Sequence, residues 1–413
     1  MRYSPAVMEA YETVIVGGGQ AGLALSYYLS QLGREHVILE RGRVAERWRS
    51  ERWDSLAFQF PNWSIRLPGH EYRGGDPDGF APRDEVVRFI EQYRDLITAP
   101  VRTGVTVRSV SQNAGSTRFQ LETGAGPLEA ANVVIATGPY QAPALPPTRA
   151  AGAVDLFHVH SSRYRNPVAL PPGATLVVGS GASGCQIVED LLEAGRTVYL
   201  SVGRHRRVPR RYRGRDVFWW LTEMGALDQT VEQRPEGRRT ANPLVTGAHG
   251  GHDIDLRNYA ARGVTLLGHL RGVQDGKLFL AADLDHHVTQ GDQGFTAFTR
   301  SVDDYVLRAG MDAPEDVQVS PSHAGPLEAP DELDLHAAGI TSVVWATGFC
   351  YDLGWIRLPV LDDAGEPVHR RGVTRCPGLY FLGLAWLHKL KSSVLCGVGE
   401  DAAYLVERIA ERT

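Results

Sequence analysis

An α/β fold of two Rossmann-like, three-layer units, the second inserted into the first, is what the sequence predicts, and three observations carry it. A strand, glycine turn, helix and strand run from Thr13 to Glu40. The same order returns from Thr175 to Leu200. Apolar strands ending in Ala-Thr-Gly occur at 136–138 and again at 346–348. Apolar runs bounded by glycine read as buried parallel strands, and helical spacing between them completes the layers.

The first unit opens on Thr13–Val16 and the turn Gly17-Gly18-Gly19-Gln20-Ala21-Gly22. In such a turn the first glycine makes the bend, the second lets backbone approach a pyrophosphate, and the third packs helix on strand. Gln20 and Ala21 open the helix, whose N-terminal amides suit phosphate. Glu40 lies 18 residues past Gly22, at the end of the next strand, where a carboxylate can accept both hydroxyls of an adenosine ribose. Arg41, Trp48, Arg52 and Trp53 follow in a stretch unusually rich in Arg and Trp. Its guanidinium groups can neutralise pyrophosphate and its indoles can wall a flat ring, or they can simply cover a core edge. Gln59 and Asn62 sit in a loop broken by proline. Helical spacing over Arg83–Ala99 predicts a helix, and Val105–Val107 and Phe119–Leu121 predict short antiparallel strands. Asn132–Ile135 is a buried strand ending in Ala136-Thr137-Gly138, and the proline-rich tract at 139–147 marks the first boundary.

The second unit begins at Thr175–Val178 and turns through Gly179, Gly181, Ser183 and Gly184. Its glycines stand 162 residues after those of the first. At the end of its second strand there is no acid: Ser201 and Val202 occupy the place, and Arg204-His205-Arg206-Arg207 follow. A carboxylate there would repel a 2′-phosphate, whereas guanidinium binds it bidentately, so the second nucleotide is expected to be NADPH. The run Arg204–Arg215 holds seven arginines in twelve residues. Without an aromatic stacking module it reads as a solvated loop with one or two cofactor arginines, not as a nucleic-acid surface. Phe218–Leu221 reads as core and Asp283–His287 as a polar helix end without a metal. The strand Thr341–Trp345 with Ala346-Thr347-Gly348 reads as the return to the first unit. It is followed by a strand ending on Gly383 and a terminal helix opened by Gly397 and Gly399. His388, Lys389 and Lys391 precede those glycines.

Composition bounds the rest. The 413 residues are 43% hydrophobic and 22% charged, with a formal net charge of −5, which gives no reason to expect nucleic acid or an anionic membrane as partner. Four scattered cysteines without a C-x-x-C fit a reducing cytoplasm and argue against a redox dithiol or a zinc site. No leader-like or membrane-length apolar run is visible. No nucleophile triad or carboxylate pair stands out.

With these motifs in hand, the chain resembles the class B flavoprotein monooxygenases, the group of flavin-containing, Baeyer–Villiger and N-hydroxylating enzymes. It is most similar to short bacterial members. Gly17, Gly19, Gly22 and Glu40 match the FAD fingerprint, and Gly179, Gly181 and Gly184 match the NADPH fingerprint. In the family's F-x-G-x-x-x-H-x-x-x-aromatic signature, His160 and Tyr164 match, while Val154 and Leu156 depart from the F-x-G half. The resemblance implies an FAD-binding domain in two parts, 1–150 and 331–413, around an NADPH-binding domain at 151–330. NADPH would reduce FAD, O2 would be trapped as a flavin C4a-(hydro)peroxide, and one oxygen atom would pass to a small organic substrate. It also implies His160 near NADP, Arg204 with Arg206 or Arg207 on the 2′-phosphate, and Trp48 and Arg52 near FAD. Val107, Ala136, Thr137, Gly138, Ala346, Thr347, Gly348, Gly383 and Gly399 would line the cofactors. Asn62, Gln59 and His388 are expected at the reacting centre. The competing expectation is a reductase passing electrons from NADPH to a quinone or protein, and a third is a nucleotide-sensing subunit with negligible turnover. The partners expected are a small molecule and O2, with no nucleic acid and no stable membrane association; a homodimer is left open.

Overall fold

The computed structural model describes residues 8–147, 156–234, 243–316 and 325–412. Val154, one of the two departures from the signature, and the predicted boundary at 150 lie outside the described residues.

The first sheet starts with β1 (Glu9–Val16), followed by α1 (Gln20–Gln31) and β2 (His36–Glu40). A short helix α2 (Glu46–Ser50) and the longer α3 (Arg83–Leu96) lead to β3 (Val101–Thr103). Antiparallel strands β4 (Val107–Ser111) and β5 (Phe119–Thr123) then run into β6 (Gly126–Ile135). β1 pairs in parallel with β2 on one side and β6 on the other, and β3 extends the β2 edge. Valine and isoleucine fill β1, with Val14 and Ile15 wholly buried, as a strand covered on both faces requires. The expected strand at Val105–Val107 begins two residues later, because Val105 instead donates its N–H to the Glu40 carbonyl at 3.0 Å.

The second sheet contains β7 (Phe157–His160), β8 (Ala174–Val178), α4 (Ala182–Glu193) and β9 (Val198–Ser201). Beyond α5 (Val217–Glu223) come β10 (Thr265–Leu267), α6 (Leu284–Ala309) and β11 (Ile340–Trp345). Its strands are all parallel in the order β7-β11-β8-β9-β10. The chain then returns to the first sheet through β12 (Leu379–Phe381), which pairs with β6, and ends in α7 (Val398–Ala410), packed against α1.

One expectation is corrected here. The strand Thr341–Trp345 does not rejoin the first sheet, because it pairs with β8 and β7 of the second. The crossing points are marked instead by a two-stranded antiparallel pair, Ala142–Pro143 against Phe349–Cys350. Outgoing and returning chain lie side by side there, so the return falls after 349 and not at 331.

Core residues form separate clusters for each sheet. A further aromatic cluster brings Phe60 and Trp63 of the first unit against Phe218 and Trp220, with Phe60 and Phe218 stacked at 4.2 Å. Phe218, Trp220 and Leu221 are buried, as expected of core. Asp283–His287 lies at the start of α6, where Asp283 accepts the His269 N–H and Asp285 the Leu327 N–H, tying the helix end to neighbouring segments.

Candidate functional site: two cradles and the seam between them

Val16 delivers Gly17 into a φ of +117°, and a Cβ there would sit 2.5 Å from the Ala136 carbonyl oxygen. At Gly22 a Cβ would overlap the Gly17 carbonyl. These two glycines are therefore required by packing alone. Gly19 differs: it is the N-cap of α1, and a Cβ there would meet nothing within 4 Å. No side chain caps this 12-residue helix, so its first amides face open space in a geometry that fits a diphosphate. Glu40 accepts the Gly18 N–H at 2.7 Å and the Gly42 N–H at 2.8 Å, one on each oxygen. Each oxygen keeps a further lone pair for a ribose hydroxyl. Arg41 is exposed, and Val107 is half-buried in β4 opposite Thr123. Thr137 accepts a bond from Gln141 at 2.8 Å beside half-buried Gly138.

The second cradle repeats this arrangement. Gly179 has φ +109°, and its Cβ would lie 2.5 Å from the Ala346 carbonyl. A Cβ on Gly184 would overlap the Gly179 carbonyl, while Gly181, the uncapped N-terminus of α4, is open. Ser183 is half-buried on the first turn. Each Ala-Thr-Gly strand end thus closes its own cradle, Ala136 the first and Ala346 the second. Thr347 donates to the Ala144 carbonyl at 2.5 Å, tying this turn to the crossing chain.

The arginines after β9 divide sharply. Arg207 is committed inside the protein: it pairs with Asp292 and with Asp255 at 2.7 Å and lies over the Phe295 ring. It is withdrawn from the expected phosphate set. Arg210 pairs with Asp216 at 2.6 Å and donates to the Gln59 carbonyl, and Arg213 pairs with Asp303. Arg204 is exposed. Arg206 is half-buried, and burial pulls its pKa down. Ser201, where an acid would stand, is buried and bonded to the Gly268 carbonyl.

Several expected catalytic groups have internal hydrogen-bond partners. Asn62 is buried, and its amide donates to the Asp76 carbonyl at 2.8 Å and accepts the Ala81 N–H at 2.7 Å, so it closes a loop. Gln59 donates to the Pro243 carbonyl at 2.8 Å, spanning the two units. His160, at the end of β7, takes the Ser162 N–H on Nδ1 at 3.2 Å and bonds the Gly348 carbonyl through Nε2 at 3.0 Å. An amide can only donate and a carbonyl only accept, so the ring is the neutral Nε2–H tautomer. Burial pushes its pKa down, in the same direction. It pins the Gly348 turn rather than presenting a nitrogen to a ligand.

Arg52 is enclosed by aromatic rings, with its guanidinium 5.7 Å from Trp48 and 5.5 Å from Tyr140, and donates to the Glu51 carbonyl at 2.7 Å. Burial lowers its pKa. Tyr140 was not anticipated; the proline tract around it conceals its role. Gly383 lies at φ +74° against Ala21, and Gln20 donates to the Ser393 carbonyl at 2.8 Å. Both ends of the 383–393 loop are thereby fixed to the first turn of α1, and His388 lies on the arch between them. Gly397 makes the tight approach to the Lys391 carbonyl, while Gly399 packs on Pro68. Among the described residues no group of three His, Cys, Asp or Glu side chains could hold a metal, and no helix is long and apolar enough to cross a membrane.

Residues 14–217 match the pyridine nucleotide-disulphide oxidoreductase family. Over 401 residues the chain is 33% identical to a CzcO-like oxidoreductase of Geobacillus kaustophilus, covering 96% of this chain and 98% of that one. The indole-3-pyruvate monooxygenase YUCCA1 of Oryza sativa is 27% identical over 317 residues, 72% of this chain and 76% of that one. A flavin-containing monooxygenase from Stenotrophomonas maltophilia superposes with a TM-score of 0.66 at 19% identity, over 98% of this chain and 99% of that chain. Fold and cradles together define an oxidoreductase with the architecture of the flavin monooxygenases. Within that class, the chain belongs to the CzcO-like oxidoreductase family.

Proposed function

We propose that this oxidoreductase is an NADPH- and FAD-dependent monooxygenase that adds one atom of O2 to a small organic substrate. The observation that carries it is the repeated cradle, followed by an acid in one copy and by arginines in the other. FAD belongs in the first cradle, around Gly17, Gly19, Gly22 and Glu40, and NADPH in the second, around Gly179, Gly181 and Gly184. The kinship with an indole-3-pyruvate monooxygenase favours oxygenation over electron transfer to a quinone or protein.

Bound FAD supplies hydride acceptance and oxygen activation. The chain supplies the rest. Amides at Gly19 and Gly181, with the helix dipoles behind them, hold the two diphosphates. Glu40 orients the flavin-side ribose. Arg204 and Arg206 take the 2′-phosphate, whose charge offsets the loss of hydration that burial imposes on Arg206. Arg52, beside Trp48 and Tyr140, places a positive charge among aromatic rings. His160 holds the Gly348 turn at the nucleotide. The substrate space lies at the seam, under the 383–393 loop. Free cysteines, with Cys350 exposed, accord with a reducing cytoplasm.

The test is direct. The purified protein should be yellow, retain FAD, and oxidise NADPH in air with oxygen-isotope label from O2 entering a product. A protein that takes up no FAD, or one whose every product is unlabelled, would sink the reading.

A further inference from the structure

The seam is fastened by a feature that the cofactor motifs do not explain. On the second unit, the segment from Asp228 to Arg234 lies across the 383–393 loop of the first. Val231 donates its N–H to the His388 carbonyl at 2.8 Å, and Leu390 donates to the Gln229 carbonyl at 3.0 Å. Around these bonds stand four charges. Asp228 meets Lys389 at 2.7 Å and Lys391 at 2.8 Å. Glu400, in the first turn of α7, meets Lys389 at 2.8 Å and also Lys391. Two lysines of the loop are thus shared between a carboxylate of the second unit and one of the first.

The loop so held is strained. Trp386 has φ +56°, a left-handed conformation that is costly for a bulky side chain and persists only when its surroundings enforce it. Leu384 and Leu387 on either side are buried, and Arg234 of the second unit stands 5.5 Å over the indole. The loop also begins and ends on Ala21 and Gln20 of the first cradle. A displacement of the clasp would therefore move the second unit relative to the first cradle.

We infer that Asp228 is a positioning residue for flavin reduction: through Lys389 and Lys391 it seats the second unit on the Trp386 loop, and so sets the approach of nicotinamide to flavin. This rests on the FAD and NADPH reading above. Hydride transfer needs the two rings at a fixed contact, and small displacements cost rate steeply.

Asp228→Asn in the full FAD-loaded protein tests it, with hydrogen exchange and rapid anaerobic mixing with NADPH. The Val231 and Leu390 amides should lose protection. The limiting rate of flavin bleaching should fall about tenfold, which is about 1.4 kcal/mol of barrier. Half-saturating NADPH should stay within about twofold, since the 2′-phosphate arginines are untouched. Asp228→Glu should restore the rate, and added NaCl should slow the wild type but not Asp228→Asn, because the clasp is partly exposed and screened. The inference is overturned if Asp228→Asn opens both amides yet reduces at the wild-type rate, or if both amides stay protected. A wild type that holds FAD but is not reduced by NADPH would refute the cofactor reading instead, and the exchange data would still decide the clasp.

Discussion

Arg206 and Arg207 are neighbours on one short strand, and their fates are opposite because side chains alternate across a strand. Arg207 points into the protein and meets two aspartates, and among the described residues Arg206 pairs with none. Replacing Arg204 and Arg206 by Ala together should raise the NADPH KM at least about tenfold, the loss of more than one charge-assisted contact, and leave the NADH value nearly unchanged. Equal losses for both coenzymes would refute the assignment. Arg207→Ala should act on stability instead, costing about 1–3 kcal/mol by removing one partner each of Asp255 and Asp292, which keep the Arg257 N–H and the Arg257 guanidinium, read as a lowered unfolding midpoint with NADPH affinity intact. The sequence shows an arginine cluster and the lack of an acid after β9, but the expected solvated loop fails, because Arg207 and Arg210 are buried against carboxylates. Which arginine faces out depends on strand register and on aspartates 48 and 85 positions away, and neither is legible locally. Asn62 misleads for a similar reason: the carbonyl it serves belongs to Asp76, and a loop conformation has no periodic signature.

Among the elements, the strand–turn–helix units are legible because their glycines answer to local geometry. Gly184→Ala should abolish NADPH binding, since a Cβ overlaps the Gly179 carbonyl, while FAD content is retained; an NADPH-competent Ala variant would contradict the packing argument. The His160 pin could be named from its motif, yet its partner Gly348 lies 188 residues on. Its chemistry yields a pH dependence. Burial lowers the folded pKa below the unfolded value of about 6.5, so the unfolded state binds the proton more readily. The stability it contributes is full above about pH 6.5 and is lost as pH falls toward the folded pKa. His252 runs the other way: Glu189 raises its pKa, so its contribution is present at low pH and is lost as pH rises through the folded value. Denaturant titrations across this range should show His160→Gln flattening the acid loss and His252→Gln steepening it. The opposite ordering would mean the pairs are not formed in solution.

For the whole molecule, composition and repeats disclose two sheets with parallel strands at their centres but not where the chain passes between them. Thr341–Trp345 is apolar enough for either sheet, and a buried parallel strand carries no label naming its neighbours. The antiparallel contact of Ala142–Pro143 with Phe349–Cys350 decides the matter, and only folding brings those residues together. Closure of each glycine turn by a distant strand also bears on biosynthesis. Ala346 is made 167 residues after Gly179, so on the ribosome the second turn waits unsupported until most of the chain has emerged. A chain ended at residue 217, where the family match stops, should accordingly emerge with Gly179 unclosed and be prey to proteases, however complete its motifs look.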